Sequence, residues 1–264
     1  MDATSTSTLT SAPTGAQAIE RALSVLSCFM GPEPELGISD ISRRLDLTPS
    51  TAHRIVRALV GAGYLDQNPK TDRYYLGRSA ILLGQVAQRA MGLDRALPVL
   101  EEVAARTEES VNFVVLQADY GVVTLRLDTA HALRFEQPVG TRVGLFCSAS
   151  GKAMLAFHPD GAQALDRLGR LTRRTEHTIT SRRALERELQ EIRERGYSLD
   201  EQEGQLGVRC VAAPVLNPTG HAMAAIAVQV PTVRMAKEEL HRLGPVVMEA
   251  AGRVADLLGG DGRI

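Results

Sequence analysis

Hydrophobic residues recur every three or four positions along the stretch Leu47–Leu65, a spacing that predicts an amphipathic helix with one buried face. Thr48 supplies a side-chain oxygen suited to the N-cap, and Pro49 suits the first helical position because the N–H that it lacks would have no partner there. Gly61 and Gly63 mark the end of the helix. The predicted buried positions are Ala52, Ile55, Val56, Leu59 and Val60, and the opposite face carries Ser50, Thr51, His53, Arg54 and Arg57. Periodicity alone also fits an ordinary surface helix, so the neighbouring segments decide between the two interpretations.

Two further helices are predicted before this one. The segment 16–30 predicts a first helix, with an inner face formed by Ile19, Leu23, Val25 and Leu26. The segment ISDISRRLDL predicts a short second helix with Ser39 at its N-cap, and only a few residues separate this helix from Thr48. Its inward residues are Ile41 and Leu45, and its outward residues are Arg43 and Arg44. Two short helices joined by a tight turn are typical of a helix-turn-helix.

A basic hairpin is predicted directly after the third helix. The segment GYLDQNPKTDRYYLG predicts strands at Tyr64–Gln67 and Arg73–Leu76 around a polar turn that contains Lys70. Between Leu36 and Arg78 there are seven basic residues against four acidic ones, whereas the whole chain has a net charge of −1. Such a hairpin beside a recognition helix is a wing, so this part of the chain predicts a winged helix-turn-helix that binds DNA.

The second half of the chain alternates helices with apolar strands. A helical connector at 79–91 has an apolar side with no obvious partner in the small first domain, and we favour a second subunit over its own wing as that partner. Further helices are predicted at Leu93–Thr107, Ala149–Phe157, Ser181–Arg195 and Met235–Leu258, and strands at Val111–Gln117, Val122–Leu127, Leu133–Glu136, Tyr197–Asp200, Gly207–Leu216 and His221–Val230. Strands gathered into an antiparallel sheet with flanking helices indicate an α+β sensor domain.

At this point the sequence resembles the IclR family of transcriptional regulators. The resemblance is carried by AIERALSVLSCF, by LGISDISRRLDLTPSTAHRIVRALVGAGYL, by DRYYLG and by GYSLDEQEGQLGVRCVAAPVLN, so it covers nearly the whole chain. It implies an α+β protein whose winged helix-turn-helix is joined by a helical linker to a GAF-like effector-binding domain. The expected boundaries are 1–15 for a disordered N-terminus, 16–78 for the DNA-binding domain, 79–92 for the linker helix and 93–260 for the GAF-like domain.

The resemblance implies binding to double-stranded operator DNA as a homodimer or homotetramer. We expect the third helix to enter the major groove through Ser50, Thr51, His53, Arg54 and Arg57, with further contacts from Arg43, Arg44, Lys70 and Arg73. Repression is the commoner role in the family, and the sequence leaves the sign of regulation open.

A small-molecule effector is expected in the second domain. The small residues Ser148–Gly151 lead into a helix whose exposed N–H groups favour a carboxylate, although a simply capped helix start fits equally well. The resemblance places the amides of Ala149 and Ser150 and the side chains of Asp200 and Cys210 in the pocket, together with Ala227 and Gln229, where the family often has serines. Without it, Asp200 would be interpreted as a carboxylate at a hairpin end and Cys210 as a small core residue. We expect apolar walls from Leu125, Phe146 and Met154, so the pocket should accept a bulkier aromatic or branched carboxylate.

Composition excludes several other classes of protein. The chain has 264 residues, of which 44% are hydrophobic and 23% charged, as is usual for a globular protein. It contains neither an apolar run long enough to cross a membrane nor a leader pattern. We therefore expect a cytoplasmic protein without membrane contact. The three cysteines and five scattered histidines, His131, His158, His177, His221 and His241, show no metal or disulfide spacing, and neither a metal nor a cofactor is expected. The open alternatives are an enzyme that uses Cys147 or Cys210 with a histidine, and a sensor that has lost DNA binding.

Overall fold

The computed structural model describes residues 15–31 and 33–258. The chain forms two compact units, Met1–Ala87 and Gln88–Ile264, and the division falls within the helix predicted as a linker. The disorder expected for residues 1–15 lies outside the described residues, apart from Gly15, which begins the first helix. Among the described helices, none is long and apolar enough to cross a membrane.

The first unit is a small helical domain with a two-stranded hairpin. Its elements are α1 (Gly15–Ser27), a 3₁₀ turn (Cys28–Met30), α2 (Ile38–Leu45), α3 (Pro49–Gly61), β1 (Leu65–Gln67), β2 (Tyr74–Leu76) and α4 (Arg78–Ala90). The predicted start of α3 is confirmed, because the Thr48 hydroxyl accepts a hydrogen bond from the N–H of Thr51. The core consists of Val25, Phe29, Leu36, Ile41, Ala52, Val56, Leu65 and Tyr74.

Two details predicted for the first two helices are wrong. The N-cap of α2 is Gly37 rather than Ser39, because the Asp40 carboxylate reaches back and accepts the N–H of Gly37 at 3.1 Å. On α1, Ile19 and Leu23 are exposed, with 64% and 59% of their surface accessible. The other two predicted residues are confirmed, because Val25 lies in the core and Leu26 packs against it, and Phe29 from the following turn completes this face. Helical spacing therefore located an apolar stripe without showing which part of it this domain covers.

The second unit is built on one antiparallel sheet of six strands. Its elements are α5 (Leu93–Thr107), β3 (Ser110–Gln117), β4 (Tyr120–Leu127), β5 (Arg142–Gly144), α6 (Ala149–Ala156), α7 (Ala162–Arg167), α8 (Arg182–Arg195), β6 (Ser198–Glu201), β7 (Val208–Leu216), β8 (Ala222–Pro231), α9 (Lys237–Leu240), a 3₁₀ turn (His241–Leu243) and α10 (Gly244–Leu258). The strand order is β5-β4-β3-β8-β7-β6. The overall α+β, GAF-like architecture is confirmed.

Alternation along the strands gives the sheet two different faces. One face packs against α5 and α10 through residues such as Phe113, Ile226 and Val228. The opposite face packs against α6 and α8 through Val114 and Ala225 among others. On β8, Ala227 and Gln229 belong to this second face because they lie two and four residues from Ala225.

Two predicted elements of the second unit are wrong. The segment 133–136 forms no strand, and the sheet ends instead on β5, whose Val143 pairs with Gly121. The predicted helix Met235–Leu258 is divided, because the chain runs through α9 and a 3₁₀ turn before α10 begins at Gly244. Pro245, the second residue of α10, has no N–H to donate to the preceding turn and is suited to starting a new helix.

Candidate functional site

The outer face of α3 and the wing present unpaired positive charge. His53, Arg54 and Arg57 are exposed on α3, and Lys70 is exposed at the tip of the hairpin. Within the described ranges, neither arginine forms an ion pair, and Lys70 forms none either. Ser50 and Thr51 lie at the start of the same helix, where the hydroxyl of Thr48 lies 3.2 Å and 2.9 Å from theirs. The third helix therefore has donors and cations free to contact a nucleic acid.

The other arginines predicted to contact DNA are already engaged within the domain. Arg73 bonds the carboxylate of Asp40 at 2.8 Å and the carbonyl of Glu35 at 3.1 Å, so it ties the return strand of the wing to α2. Arg44 donates to the carbonyl of Cys28 and pairs with the Glu33 carboxylate, and Arg43 pairs with Asp40 at 3.1 Å. These three side chains support the geometry of the domain, and of them the guanidinium of Arg43 is the most exposed.

A cavity of about 210 Å³ opens between the second face of the sheet and the start of α6. All six residues predicted to contact an effector line it, namely Ala149, Ser150, Asp200, Cys210, Ala227 and Gln229. The strand register explains how they meet, because Gln229 pairs with Cys210 across β8 and β7, and Cys210 pairs with Asp200 across β7 and β6. These three side chains form a row about 10 Å long across three strands, at about 4.8 Å per strand.

The start of α6 forms one wall of this cavity. Ser148 is the N-cap, and its hydroxyl accepts the N–H of Gly151 at 3.0 Å and donates to the carbonyl of Gly144 at 2.9 Å. The capped helix start that sequence left as an alternative is thus present. It leaves the N–H groups of Ala149 and Ser150, which occupy the first two helical positions, without intrahelical partners. Capping and anion binding are therefore compatible at this helix.

Buried charges lie directly behind the cavity. Lys152 is 1% exposed, and its ammonium lies 2.5 Å from a carboxylate oxygen of Glu203 and 3.4 Å from one of Glu188. Asp200 is 5% exposed and accepts the N–H of Glu203 at 2.6 Å. Burial, reinforced by the charge of Glu203, raises the pKa of Asp200 to about 7. Burial also raises the pKa of Glu203, against the opposing effect of Lys152.

The remaining walls differ from those expected. Leu125 packs towards the α5 and α10 side. Met154, a residue of α6, is fully buried in the core, and Phe146 packs against the same core rather than lining the cavity. The lining residues that sequence reasoning missed are Phe135, Gln137, Thr141, Arg142, Val143, Gly144, Cys147, Arg174, Gly204, Gln205 and Val208. Most lie in irregular segments, where no periodic signal indicates which side chains turn inward.

A polar network fixes the end of the cavity opposite Asp200. The Gln229 amide nitrogen donates to the side-chain oxygen of Gln137 at 2.6 Å, and Asn112 donates to the same oxygen at 2.8 Å. Arg126 donates to the carbonyl of Phe135 at 2.7 Å and to the Gln229 amide oxygen at 3.5 Å. The segment that carries Phe135 and Gln137 is therefore held against the sheet, and Gln229 presents an already oriented amide.

The cysteines are poorly suited to catalysis. Cys147 and Cys210 are buried, and desolvation raises the pKa of both thiols, which disfavours the reactive thiolate. His158, expected to be solvated, is instead buried, because its ring bonds the carbonyl of Ala118 at 3.1 Å and the N–H of Asp160 at 3.1 Å. Over the described part of the chain, no three His, Cys, Asp or Glu residues are grouped as metal ligands.

A helix-turn-helix with free cations, followed by a domain that encloses a small polar cavity, defines a DNA-binding regulator with a ligand-binding domain. The family model described as "IclR helix-turn-helix domain" matches residues 18–69, and that described as "Bacterial transcriptional regulator IclR C-terminal" matches residues 85–256. The chain therefore belongs to the IclR family of bacterial transcriptional regulators, and it is a regulator rather than an enzyme.

Similar proteins agree with this assignment over nearly the full length. The HTH-type transcriptional regulator BhcR of Paracoccus denitrificans is 36% identical, over 90% of this chain and 85% of BhcR. The HTH-type transcriptional repressor AllR of Klebsiella pneumoniae is 31% identical, over 94% of this chain and 92% of AllR. The crystal structure of an IclR homolog from Microbacterium hydrocarbonoxydans complexed with 4-hydroxybenzoate has a TM-score of 0.77 at 25% identity, and covers 91% of this chain and 98% of that one.

Proposed function

We propose that this protein is a cytoplasmic repressor that binds a palindromic operator as a homodimer, or as a pair of dimers, through α3. In this arrangement Arg54 and Arg57 contact base edges and phosphates in the major groove, assisted by Ser50, Thr51 and His53. Lys70 and Arg43 contact the backbone on either side, while Arg44 and Arg73 hold the wing and α2 in position. The observation that carries the proposal is the exposed face of α3, where neither arginine has an acidic partner among the described residues.

The proposed dimer contact is the apolar stripe on α1 and α4. Ile19 and Leu23 on α1, and Leu82 and Val86 on α4, are each about 60% exposed, and none of the described residues of α4 is buried. Exposed large apolar side chains at helical spacing on two helices favour a protein interface. A two-fold pair of the DNA-binding domains would match the two half-sites of a palindrome.

The proposed effector is a small organic carboxylate. Its anionic group would contact the N–H groups of Ala149 and Ser150, and the positive charges of Arg142 and Arg174 on the cavity wall favour an anion. A cavity of about 210 Å³ is smaller than the roughly 300–1,000 Å³ of typical pockets for drug-sized ligands, so it suits a compact acid. The 4-hydroxybenzoate bound by the homologous protein belongs to this class.

Operator binding can be tested with the DNA that flanks the gene of this protein, in gel shifts at fixed salt. The double substitution Arg54→Ala/Arg57→Ala should weaken the specific complex more than about a hundredfold, because each base contact is worth about 1–3 kcal/mol and a dimer loses four arginines. The control Arg183→Ala/Arg187→Ala removes the same charge from the exposed side of α8 and should leave binding unchanged. Full affinity in the α3 variant would refute the recognition-helix assignment.

A further inference from the structure

Asp200 is the single acidic residue among the described residues that line the cavity. Groups from several elements face it: Glu203 from the turn after β6, Cys210 from β7, Cys147 from the segment before α6, and Lys152 from α6 behind Glu203. Arg142 and Arg174 lie on the cavity wall. Within the described ranges, none of these cations forms an ion pair with Asp200.

The nearest buried cation, the ammonium of Lys152, is already paired with other carboxylates. The Lys152 ammonium bonds Glu203 at 2.5 Å and lies 3.4 Å from Glu188, whose carboxylate also pairs with Arg195 at 2.9 Å. Lys152 bonds Glu203 directly and so opposes the rise in the pKa of that carboxyl group, whereas Asp200 is hydrogen-bonded by backbone N–H groups and interacts with Lys152 only at longer range. Burial without a paired cation therefore favours the protonated form of Asp200.

An anionic effector would favour the protonated form of Asp200 further. A carboxylate placed at the start of α6 would share a cavity of about 210 Å³ with Asp200, and two negative charges in one small buried site repel each other. A neutral Asp200 avoids the repulsion, and its O–H can donate a short hydrogen bond to the carboxylate of the ligand. The same side chain is thus a repulsive group when ionised and a binding group when protonated.

We propose that the effector binds as a carboxylate together with one proton, which resides on Asp200. The inference rests on the proposed function, because it requires an anionic ligand in this cavity. The raised pKa of Asp200, about 7 in the free protein, means that both protonation states are accessible near neutral pH. A bound anion raises that pKa further, so binding takes up protons from solution and is coupled to pH.

The coupling has a definite sign and size. Below about pH 6, Asp200 is already protonated and affinity is constant. With a starting pKa of about 7, the dissociation constant at pH 8 is about tenfold larger than at pH 6, and each ligand takes up about half a proton at pH 7 and about one at pH 8. The effector itself is ionised throughout this range, because carboxylic acids titrate near pH 4.

Isothermal titration calorimetry of the full-length protein measures this uptake directly. Benzoate and 4-hydroxybenzoate serve as the probes, each titrated at pH 6, 7 and 8 in two buffers with different enthalpies of ionisation, and the difference in heat gives the number of protons exchanged. Asp200→Asn places a permanently neutral hydrogen-bonding group in the cavity. It should bind with no proton uptake and with the same affinity at pH 6 and pH 8.

Glu201→Gln is the matched control. It removes a carboxylate from the adjacent residue of β6, which faces the other side of the sheet and pairs with Lys237 at 2.7 Å. This variant should keep the proton uptake of the unmodified protein. Thermal melts of both variants establish that the fold is retained.

The outcomes separate the two proposals. Ligand binding without proton uptake, or an Asp200→Asn variant that keeps the pH dependence, overturns the coupling and leaves the carboxylate effector in place. The coupling is also overturned if folded Asp200→Asn fails to bind at both pH values, because Asp200 would then be needed as an anion. If neither probe binds the unmodified protein at any pH, the aromatic carboxylate class is wrong and the inference fails with it.

Discussion

Replacing Lys152 with methionine should destabilise the second domain by about 3–5 kcal/mol at pH 8. The methionine keeps most of the volume of the side chain but removes an ammonium that is 1% exposed and lies 2.5 Å from a Glu203 oxygen. Glu203 is itself 6% exposed, and its second oxygen has no hydrogen-bond partner among the described residues. The substitution would therefore leave a buried carboxylate without compensation, which is the costly way to break a buried ion pair.

The loss should depend on pH. Burial already raises the pKa of Glu203, and removing the adjacent cation raises it further, so the folded variant takes up a proton more readily than the unfolded chain. Stability in the variant should then fall as the pH rises through the folded-state pKa of Glu203, which makes the loss larger at pH 8 than at pH 5. Urea denaturation followed by far-UV circular dichroism measures both values, and hydrogen exchange in α6 and α8 assigns the loss to this domain.

Two further variants test the reasoning. Adding Glu203→Gln to Lys152→Met neutralises the orphaned group and should recover at least half of the lost stability. Lys237→Met breaks the more exposed pair with Glu201 and should cost less than about 1 kcal/mol. A cost below about 1 kcal/mol for Lys152→Met at pH 8, or a double variant as unstable as the single one, would refute the account of this buried pair.

Two other predictions follow from packing. Leu82→Asp/Val86→Asp should convert the proposed dimer to monomers in analytical ultracentrifugation and should weaken operator binding. The control Leu206→Asp, also at an exposed position but in the second domain, should do neither. An unchanged oligomer in the α4 variant would exclude α4 as the interface. Gly151→Ala should lower the melting temperature and abolish effector binding, because its Cβ would lie 2.1 Å from the carbonyl oxygen of Gly144. Gly252→Ala should be tolerated, because among the described residues no atom outside its own stretch of helix lies within 4 Å of the added Cβ. Equal melting temperatures would contradict the tight contact at Gly151.

The bounds of several helices could be predicted because their signals are local. Thr48 and Pro49 fix the start of α3, and Ser148 and Ser181 accept the capping bonds at the starts of α6 and α8. A cap uses residues within one turn of the helix, so the sequence contains all the information needed.

Features that depend on distant partners could not be predicted in the same way. Lys152 is buried because its partner Glu203 lies 51 residues away, and nothing in the local sequence indicates that pairing. β5 is only three residues long and has no apolar alternation, so the sequence offered no reason to prefer it over 133–136. The exposed Ile19 and Leu23 show a related limit, because periodicity finds an apolar stripe but does not say whether its own domain or another chain covers it.

The six pocket positions of the candidate site could be predicted, whereas the residues that orient Gln229 could not. The six pocket positions came from the resemblance to the IclR family, and the strand register brings three of them, Asp200, Cys210 and Gln229, into one row. Arg126 and Gln137, which orient Gln229, were missed because their role depends on contacts between segments about 90 to 100 residues apart. Contacts over such distances are decided by the assembled sheet.

Ligand binding in the second domain should change the affinity of the first domain for DNA. Operator affinity should be determined by fluorescence anisotropy at fixed salt and pH 6, with and without saturating 4-hydroxybenzoate, for the unmodified protein and for Gly151→Ala. The account predicts a change of about 5- to 150-fold, corresponding to a coupling of about 1–3 kcal/mol, that Gly151→Ala removes. If ligand occupies the cavity but the affinity for operator DNA is the same, the cavity does not regulate DNA binding and the claim is wrong.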